Sequence, residues 1–264
     1  MLIYPEINRV AFSLGPVKVH WYGLTYLAGF VLSYIVGRHR AKREDTPVTP
    51  AQVEDLIFFG ALGVIVGGRV GYLLFYGWAQ VAKDWHYIYR FWEGGMSFHG
   101  GLLGVLLAMW WFARRNGKTF FEITDFVAVF TPLGLLCGRI GNFINSELWG
   151  RPTDAPWGFL VGDEVLHPSM LYEAALEGVV LFLILYTYTM RPRAVGATSG
   201  LFLFFYGLFR SLVEFVRVPD EQYGYLAFDW LTMGQVLSAP MILFGLFLFL
   251  RATRVPAPSA GIIR

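Results

Sequence analysis

Several ionisable and carboxamide side chains stand inside stretches otherwise too apolar to hold them. In the run GRIGNFINSELWG (138–150), Arg139, Asn142, Asn145, Ser146 and Glu147 fall within nine positions, directly after a long apolar segment. An arginine at membrane depth costs about 2.5 to 3.5 kcal/mol on insertion scales, so it faces a wet cavity or a partner rather than lipid. At 100° per residue, Asn142, Phe143 and Ser146 share a helix face with Arg139, whereas Asn145 and Glu147 point elsewhere if the helix continues. Gly138, Gly141 and Gly150 favour an early end, with Asn145 and Glu147 turning back toward Arg139. Either Glu147 merely neutralises the arginine to pin two helices, or the ion and its carboxamides form a ligand site. Two carboxamides beside one ion favour the ligand site.

A second group, Tyr206, Arg210, Glu214 and Arg217, is spaced by four, four and three, which makes one continuous helical face. Arg139 and Arg210 would supply two planar guanidinium forks, the geometry wanted by a phosphate with several acceptor oxygens. For Glu214, bracing an Arg-Glu-Arg ladder is as good an explanation as a direct role. His99 follows a glycine-rich segment and precedes Gly100 and Gly101. Imidazole titrates near neutrality, so at this level it can accept a proton; alone it would read as a hydrogen-bonded packing residue. There is no HExxH, and His20, His39, His86 and His167 show no paired ligand spacing, so neither metal nor cofactor is expected.

The chain that must position these groups has 264 residues, 56% of them hydrophobic, 18% aromatic and only 15% charged. Soluble domains carry about a quarter charged residues, so an all-α integral membrane protein is expected. A net charge of +2 suggests no nucleic-acid partner. The lone cysteine, Cys137, rules out an internal disulfide framework and reads as a small packing residue. The N-terminus lacks the pattern of a removable signal peptide, and residues 255–264 read as a disordered tail after a single membrane domain, 1–254.

Seven apolar runs predict spanning helices: 19–37, 55–76, 95–113, 121–145, 169–190, 196–216 and 233–250. Twelve basic residues follow the odd-numbered runs, whereas six are spread over the longer segments of the opposite face. The positive-inside rule then puts the N-terminus outside and the C-terminus in the cytoplasm, with a small head on the outer face. At 1.5 Å per residue, Arg139 stands about 27 Å above the inner start of its helix, and Arg210 and Arg69 about 21 Å above theirs. The outer ends of the inward-running helices hold Tyr22, His99 and the pair Tyr172 and Glu173, so polar groups from six helices converge at one level. Gly60, Gly63, Gly67, Gly68 and Gly71, with Gly100, Gly101 and Gly104, read as helix-packing faces, the glycines after His99 also leaving room for a lipid. Charges near the outer leaflet and the lack of an internal repeat argue against a transporter.

The motifs HWYG (20–23), GGMSFHGGL (94–102), GRIGNFINSELWGR (138–151), HPSMLYE (167–173) and YGLFRSLVEFVRVPD (206–220) resemble the prolipoprotein diacylglyceryl transferase family over nearly the whole chain. The resemblance implies transfer of the sn-1,2-diacylglyceryl group of phosphatidylglycerol to the lipobox cysteine of a prolipoprotein, at the bacterial plasma membrane. A thioether forms and glycerol phosphate leaves. It also implies that Tyr22, His99, Arg139, Asn142, Glu147, Gly150, Arg210, Glu214 and Arg217 are the important positions. On that basis Arg139 and Arg210 are expected on the phosphate, His99 as base toward the thiol, and Asn142 with Tyr22 as positioners, with Asn145 beside them. Glu147 is expected to orient an arginine, and the arginine field alone could instead hold the thiolate. Another membrane-embedded phospholipid-modifying transferase would share the same phosphate site.

Overall fold

Helix occupies each of the seven apolar runs in the computed structural model, which describes residues 2–90, 93–219, 224–228 and 230–254. The tail expected to be disordered lies outside the described residues. The chain divides into two units, Met1–Val36 with Val127–Arg264, and Gly37–Phe126.

In the first unit, β2 (Val10–Leu14) and β3 (Val17–His20) form an antiparallel hairpin that leads straight into α1 (Trp21–Arg40). α6 (Thr131–Ile144) carries the arginine and carboxamide motif. Beyond it β4 (Phe159–Val161) pairs with β5 (Glu164–Leu166) and, in parallel, with β1 (Leu2–Ile3). The next span runs as α7 (Ser169–Glu173), a π-helical segment (Ala174–Val180) and α8 (Leu181–Tyr188). α9 (Ala197–Glu214) and α10 (Met233–Thr253) complete the unit. Leu181 and Leu185 of α8 and Phe209 of α9 form a buried cluster, with Leu176, Phe205 and Tyr206 packed on it. α9 and α10 approach closely through glycines: a Cβ on Gly200 would come within 2.6 Å of the Phe249 nitrogen. Cys137 is buried, as expected, and a Cβ on Gly29 of α1 would lie 3.3 Å from its own.

The second unit is built on α2 (Pro50–Phe75) and α4 (Phe98–Arg115), connected through α3 (Trp78–Lys83) and a 3-10 turn, and followed by α5 (Phe120–Ala128). Thr49 and Gln52 form a capping box at the start of α2. The packing role expected of the glycines holds for a narrower row. A Cβ on Gly63 would lie 2.6 Å from the Gly104 oxygen, and one on Gly71 would lie 2.7 Å from the Gly100 Cα, whereas Gly60 has nothing within 4 Å. Lipid tails are as apolar as leucine, so helices in a bilayer gain from close backbone contact rather than from water exclusion.

Pro50–Phe75, Ser169–Tyr188 and Met233–Thr253 are long and apolar enough to cross a membrane, and α5 with α6 makes a fourth if the bent pair counts as one span. Two expectations need correction. Residues 121–145 are not one continuous helix but break before Thr131, because Pro132 in the first turn of α6 has no N–H to continue the ladder. Nor is the chain wholly α-helical, since short strands of two to five residues order the segments between helices.

Gly104→Val should therefore destabilise the protein by about 1 to 3 kcal/mol, the range for overpacking. Gly60→Ala should be neutral or slightly stabilising. Thermal unfolding in detergent measures both, and equal effects would show that close approach of α2 and α4 is not what their glycines provide.

Candidate active site

α6 stops at Ile144, and the chain reverses through Ser146 (φ 58) and Leu148 (φ 61), both in the left-handed region. The Glu147 amide donates to the Asn142 carbonyl at 2.9 Å. The early end expected from the glycines is present, but the carboxylate does not reach Arg139. It accepts one hydrogen bond from Asn142 Nδ2 and one from Asn145 Nδ2, each 3.1 Å. The turn back is held by a tertiary anchor, Tyr4 Oη donating to the carbonyls of Phe143 (2.8 Å) and Ile144 (3.1 Å), and by a local one, Trp149 Nε1 donating to Ser146 Oγ (3.0 Å). Burial pushes the Tyr4 hydroxyl above its ordinary range. Tyr22 of α1 reaches this group, its hydroxyl interacting with Asn142 and lying 3.3 Å from that of Tyr26. A Cβ on Gly141 would lie 3.0 Å from the Tyr22 ring, so the glycine lets α1 and α6 meet there.

The arginines converge on a carboxylate from α7. Glu173, fully buried, ion-pairs through Oε2 with Arg139 Nε at 2.9 Å. Its Oε1 takes Arg210 Nη1 and, at 3.0 Å, Arg217 Nη1. Arg210 Nη2 continues to Glu214 Oε2 at 3.0 Å, and Arg217 Nε stands 3.6 Å from the same oxygen. Glu177, one turn beyond Glu173, is also fully buried; both its oxygens lack a hydrogen-bond partner, and Arg139 Nη2 is 3.8 Å away. Formally the cluster balances three arginines against three glutamates. Its accessible side does not, because Arg139 and Arg210 keep 20% and 18% of their side chains exposed, against 0% for Glu173 and Glu177. An anion approaching from that side meets guanidinium N–H groups with the carboxylates behind them, an arrangement suited to a phosphate.

Arg217 stands beyond the end of α9, so the helical face expected to carry it is cut short. Main-chain contacts bring it in instead: Gly150 bridges to Arg217, the Arg151 amide donates to Val216 at 2.9 Å, and Arg151 Nε donates to the Arg217 carbonyl at 2.8 Å. A Cβ on Gly150 would lie 2.8 Å from that of His167, so the bridge needs glycine there. Glu214 lies against the first turn of α10, where a Cβ on Gly234 would come within 2.6 Å of the carboxylate. The helix dipole favours an anion at that end. Burial pushes His167 below its ordinary range, and its Nδ1 and Tyr172 Oη share a hydrogen bond at 3.1 Å.

The structure thus gathers Arg139, Arg210, Glu214 and Arg217 into one cluster, and Tyr22, Asn142, Asn145 and Glu147 into another, both in the first unit. His99 belongs to the second, exposed on the first turn of α4 with the Phe98 ring edge-on at 5.6 Å. Arg69, also there, is buried among main-chain carbonyls. Glu173 was legible only as a polar group at a helix end and Glu177 not at all. Their signal was two carboxylates four apart in an apolar run, the spacing that matches Arg210 and Glu214 on the facing helix.

Known proteins resemble the chain over almost its whole length. The family model for prolipoprotein diacylglyceryl transferase matches residues 9–251. The phosphatidylglycerol–prolipoprotein diacylglyceryl transferase of Methylococcus capsulatus is 56% identical over 256 residues, 96% of this chain and 98% of its own length. That of Chromohalobacter salexigens is 57% identical over 263 residues, 98% of each chain, and that of Legionella pneumophila 56% over 252 residues, 94% of this chain and 98% of its own.

Removing Glu173 strands three cations around an empty centre, so Glu173→Ala should cost about 3 to 5 kcal/mol, the range for breaking a buried pair. Glu147→Gln, which keeps one amide acceptor for the two asparagines, should cost no more than about 1 to 2 kcal/mol. Thermal melts that rank the two the other way would place the organising carboxylate at Glu147.

Proposed function

This chain belongs to the prolipoprotein diacylglyceryl transferase family, and we propose that it transfers the diacylglyceryl group of phosphatidylglycerol to the lipobox cysteine thiol of a prolipoprotein signal peptide. Seven membrane spans within residues 1–254, with the N-terminus outside, turn the reaction toward the outer leaflet of the bacterial plasma membrane. The twelve-to-six distribution of basic residues supports that orientation.

One observation carries the chemistry: Arg139, Arg210 and Arg217 share a buried carboxylate, and Arg139 and Arg210 keep part of their guanidinium side chains exposed. In the reaction the cysteine sulfur attacks the glycerol carbon that bears the phosphate. The carbon–oxygen bond breaks, its electron pair stays on the phosphate oxygen, and glycerol phosphate departs. Arg139, whose Nη1 has no partner among the described residues and whose Nη2 is only loosely paired, and Arg210 hold the phosphate and take up its growing charge. Arg217 and Glu214 keep Arg210 and Glu173 in place, and Gly150 fixes the Arg217 main chain. Asn142 and Tyr22 position the lipid headgroup, while Glu147 fixes the carboxamides of Asn142 and Asn145. A thiol has an ordinary pKa near 8.5 and is mostly protonated at neutral pH, so His99 takes its proton.

Purified enzyme incubated with phosphatidylglycerol and a lipobox peptide should raise the peptide mass by one diacylglyceryl group. Arg139→Lys and Arg210→Lys should each lose about 10²-fold or more in turnover and rescue the alanine variants poorly, since an ammonium lacks the planar fork. Wild-type rates in both lysine variants would exclude guanidinium binding of the phosphate.

Orientation is tested in a Cys137→Ala background, which should stay active because the reacting thiol is the substrate's. Cysteines at Trp85 and Asp154 should react with an impermeant thiol reagent added outside intact cells, and one at Lys118 should not. The reverse pattern would put the reaction at the inner leaflet.

A further inference from the structure

Arg69 lies in α2, a helix apolar enough to cross a membrane, and is 5% exposed. Among the described residues no carboxylate pairs with it. Its guanidinium instead collects main-chain carbonyls from one short segment: Nε donates to Ile88 at 3.2 Å, Nη1 to Gly94 at 2.6 Å and Gly95 at 3.1 Å, and Nη2 to Tyr87. The Tyr87 ring covers the cation at 4.5 Å. Gly94 (φ 88) and Gly95 (φ 78) adopt the left-handed conformation that lets two successive carbonyls face one cation, and a Cβ on Gly95 would lie 2.5 Å from the Tyr72 ring. One residue before the arginine, the Gly68 carbonyl accepts from the Ser97 amide at 2.9 Å. Ser97 is the N-cap of α4, its Oγ accepting from the Gly100 amide at 3.2 Å, and His99 stands on the turn so capped.

We propose that Arg69 is the positioning residue for His99: by clamping the carbonyls of Tyr87, Ile88, Gly94 and Gly95 onto α2, it fixes the first turn of α4 and the imidazole on it. The proposal rests on His99 being the proton acceptor. The guanidinium suits this task because its donors fan out in a plane, whereas the three donors of a lysine radiate from one nitrogen and cannot reach four carbonyls spread along a segment.

The test is a double-mutant cycle in turnover, with phosphatidylglycerol and a lipobox peptide as substrates. R69M should lower kcat about 10²-fold, as loss of a general base does, with KM for the lipid within about twofold of wild type. R69K should recover little of that loss. The decisive variant is H99Q/R69M, which should turn over no more slowly than H99Q alone, because a clamp that acts through the histidine has nothing left to position. G95A keeps the arginine but displaces one carbonyl; it should show the same dependence on His99 and carries the test if R69M fails to fold. A loss that multiplies with that of H99Q, or that falls on KM, overturns the proposal while leaving the role of His99 intact. A wild-type rate in H99Q alone ends the proton-acceptor role itself, and the positioning role with it.

Discussion

The arginine cluster of the first unit is arranged around one carboxylate, that of Glu173. Burying a carboxylate away from water costs several kcal/mol even after relaxation, and the cost is offset only where partners approach closely from the right directions. Glu173 has hydrogen-bonded partners in Arg210 and Arg217 and a close ion pair with Arg139. They arrive from α6, from α9 and from the bridge beyond α9, so a single side chain on α7 ties three parts of the unit together. The same arrangement orients the arginines. With their inner edges committed to carboxylates, the guanidinium planes cannot swing freely, and the edges left exposed are fixed before any anion arrives. Preorganised donors need no reorientation as charge develops, which is what a leaving phosphate requires.

Outside that cluster the fold relies on closeness rather than on polarity. α2 meets α4, and α9 meets α10, through rows of glycine, and each contact would be lost to a single added methyl group. In a bilayer the alternative to such contact is equally apolar lipid, so shape complementarity takes the place that water exclusion holds in a soluble core.

The sequence revealed the helices and the location of the unusual charges, because both depend on composition along one segment. Apolar length marked the seven runs, and insertion cost singled out Arg139 and Arg210. Pairing was harder to read. Glu147 is only eight residues from Arg139, yet two left-handed residues and the Tyr4 hydroxyl turn its carboxylate onto Asn142 and Asn145. The Tyr4 anchor comes from the start of the chain, more than a hundred residues away, and leaves no local signal. Arg69 shows the same limit from another side, since its partners are main-chain carbonyls and no residue type announces them. The strands escaped notice because runs of two to five residues are too short for an alternating pattern to stand out.

The π-helical segment Ala174–Val180 also changes the rotational phase of its helix. In a regular α-helix, each residue advances the side-chain direction by about 100°, so Leu181 and Leu185 would point about 80° and 120° away from Glu173. One extra residue accommodated in the π-helical turn winds the later part back by about one such step. Leu181 and Leu185 then fall within about 20° of Glu173, and all three face α9, the leucines toward Phe209 and the carboxylate toward Arg210. The widened turn thus works as a phase shifter, letting one helix present an ionic end and an apolar end to the same neighbour without either bending away.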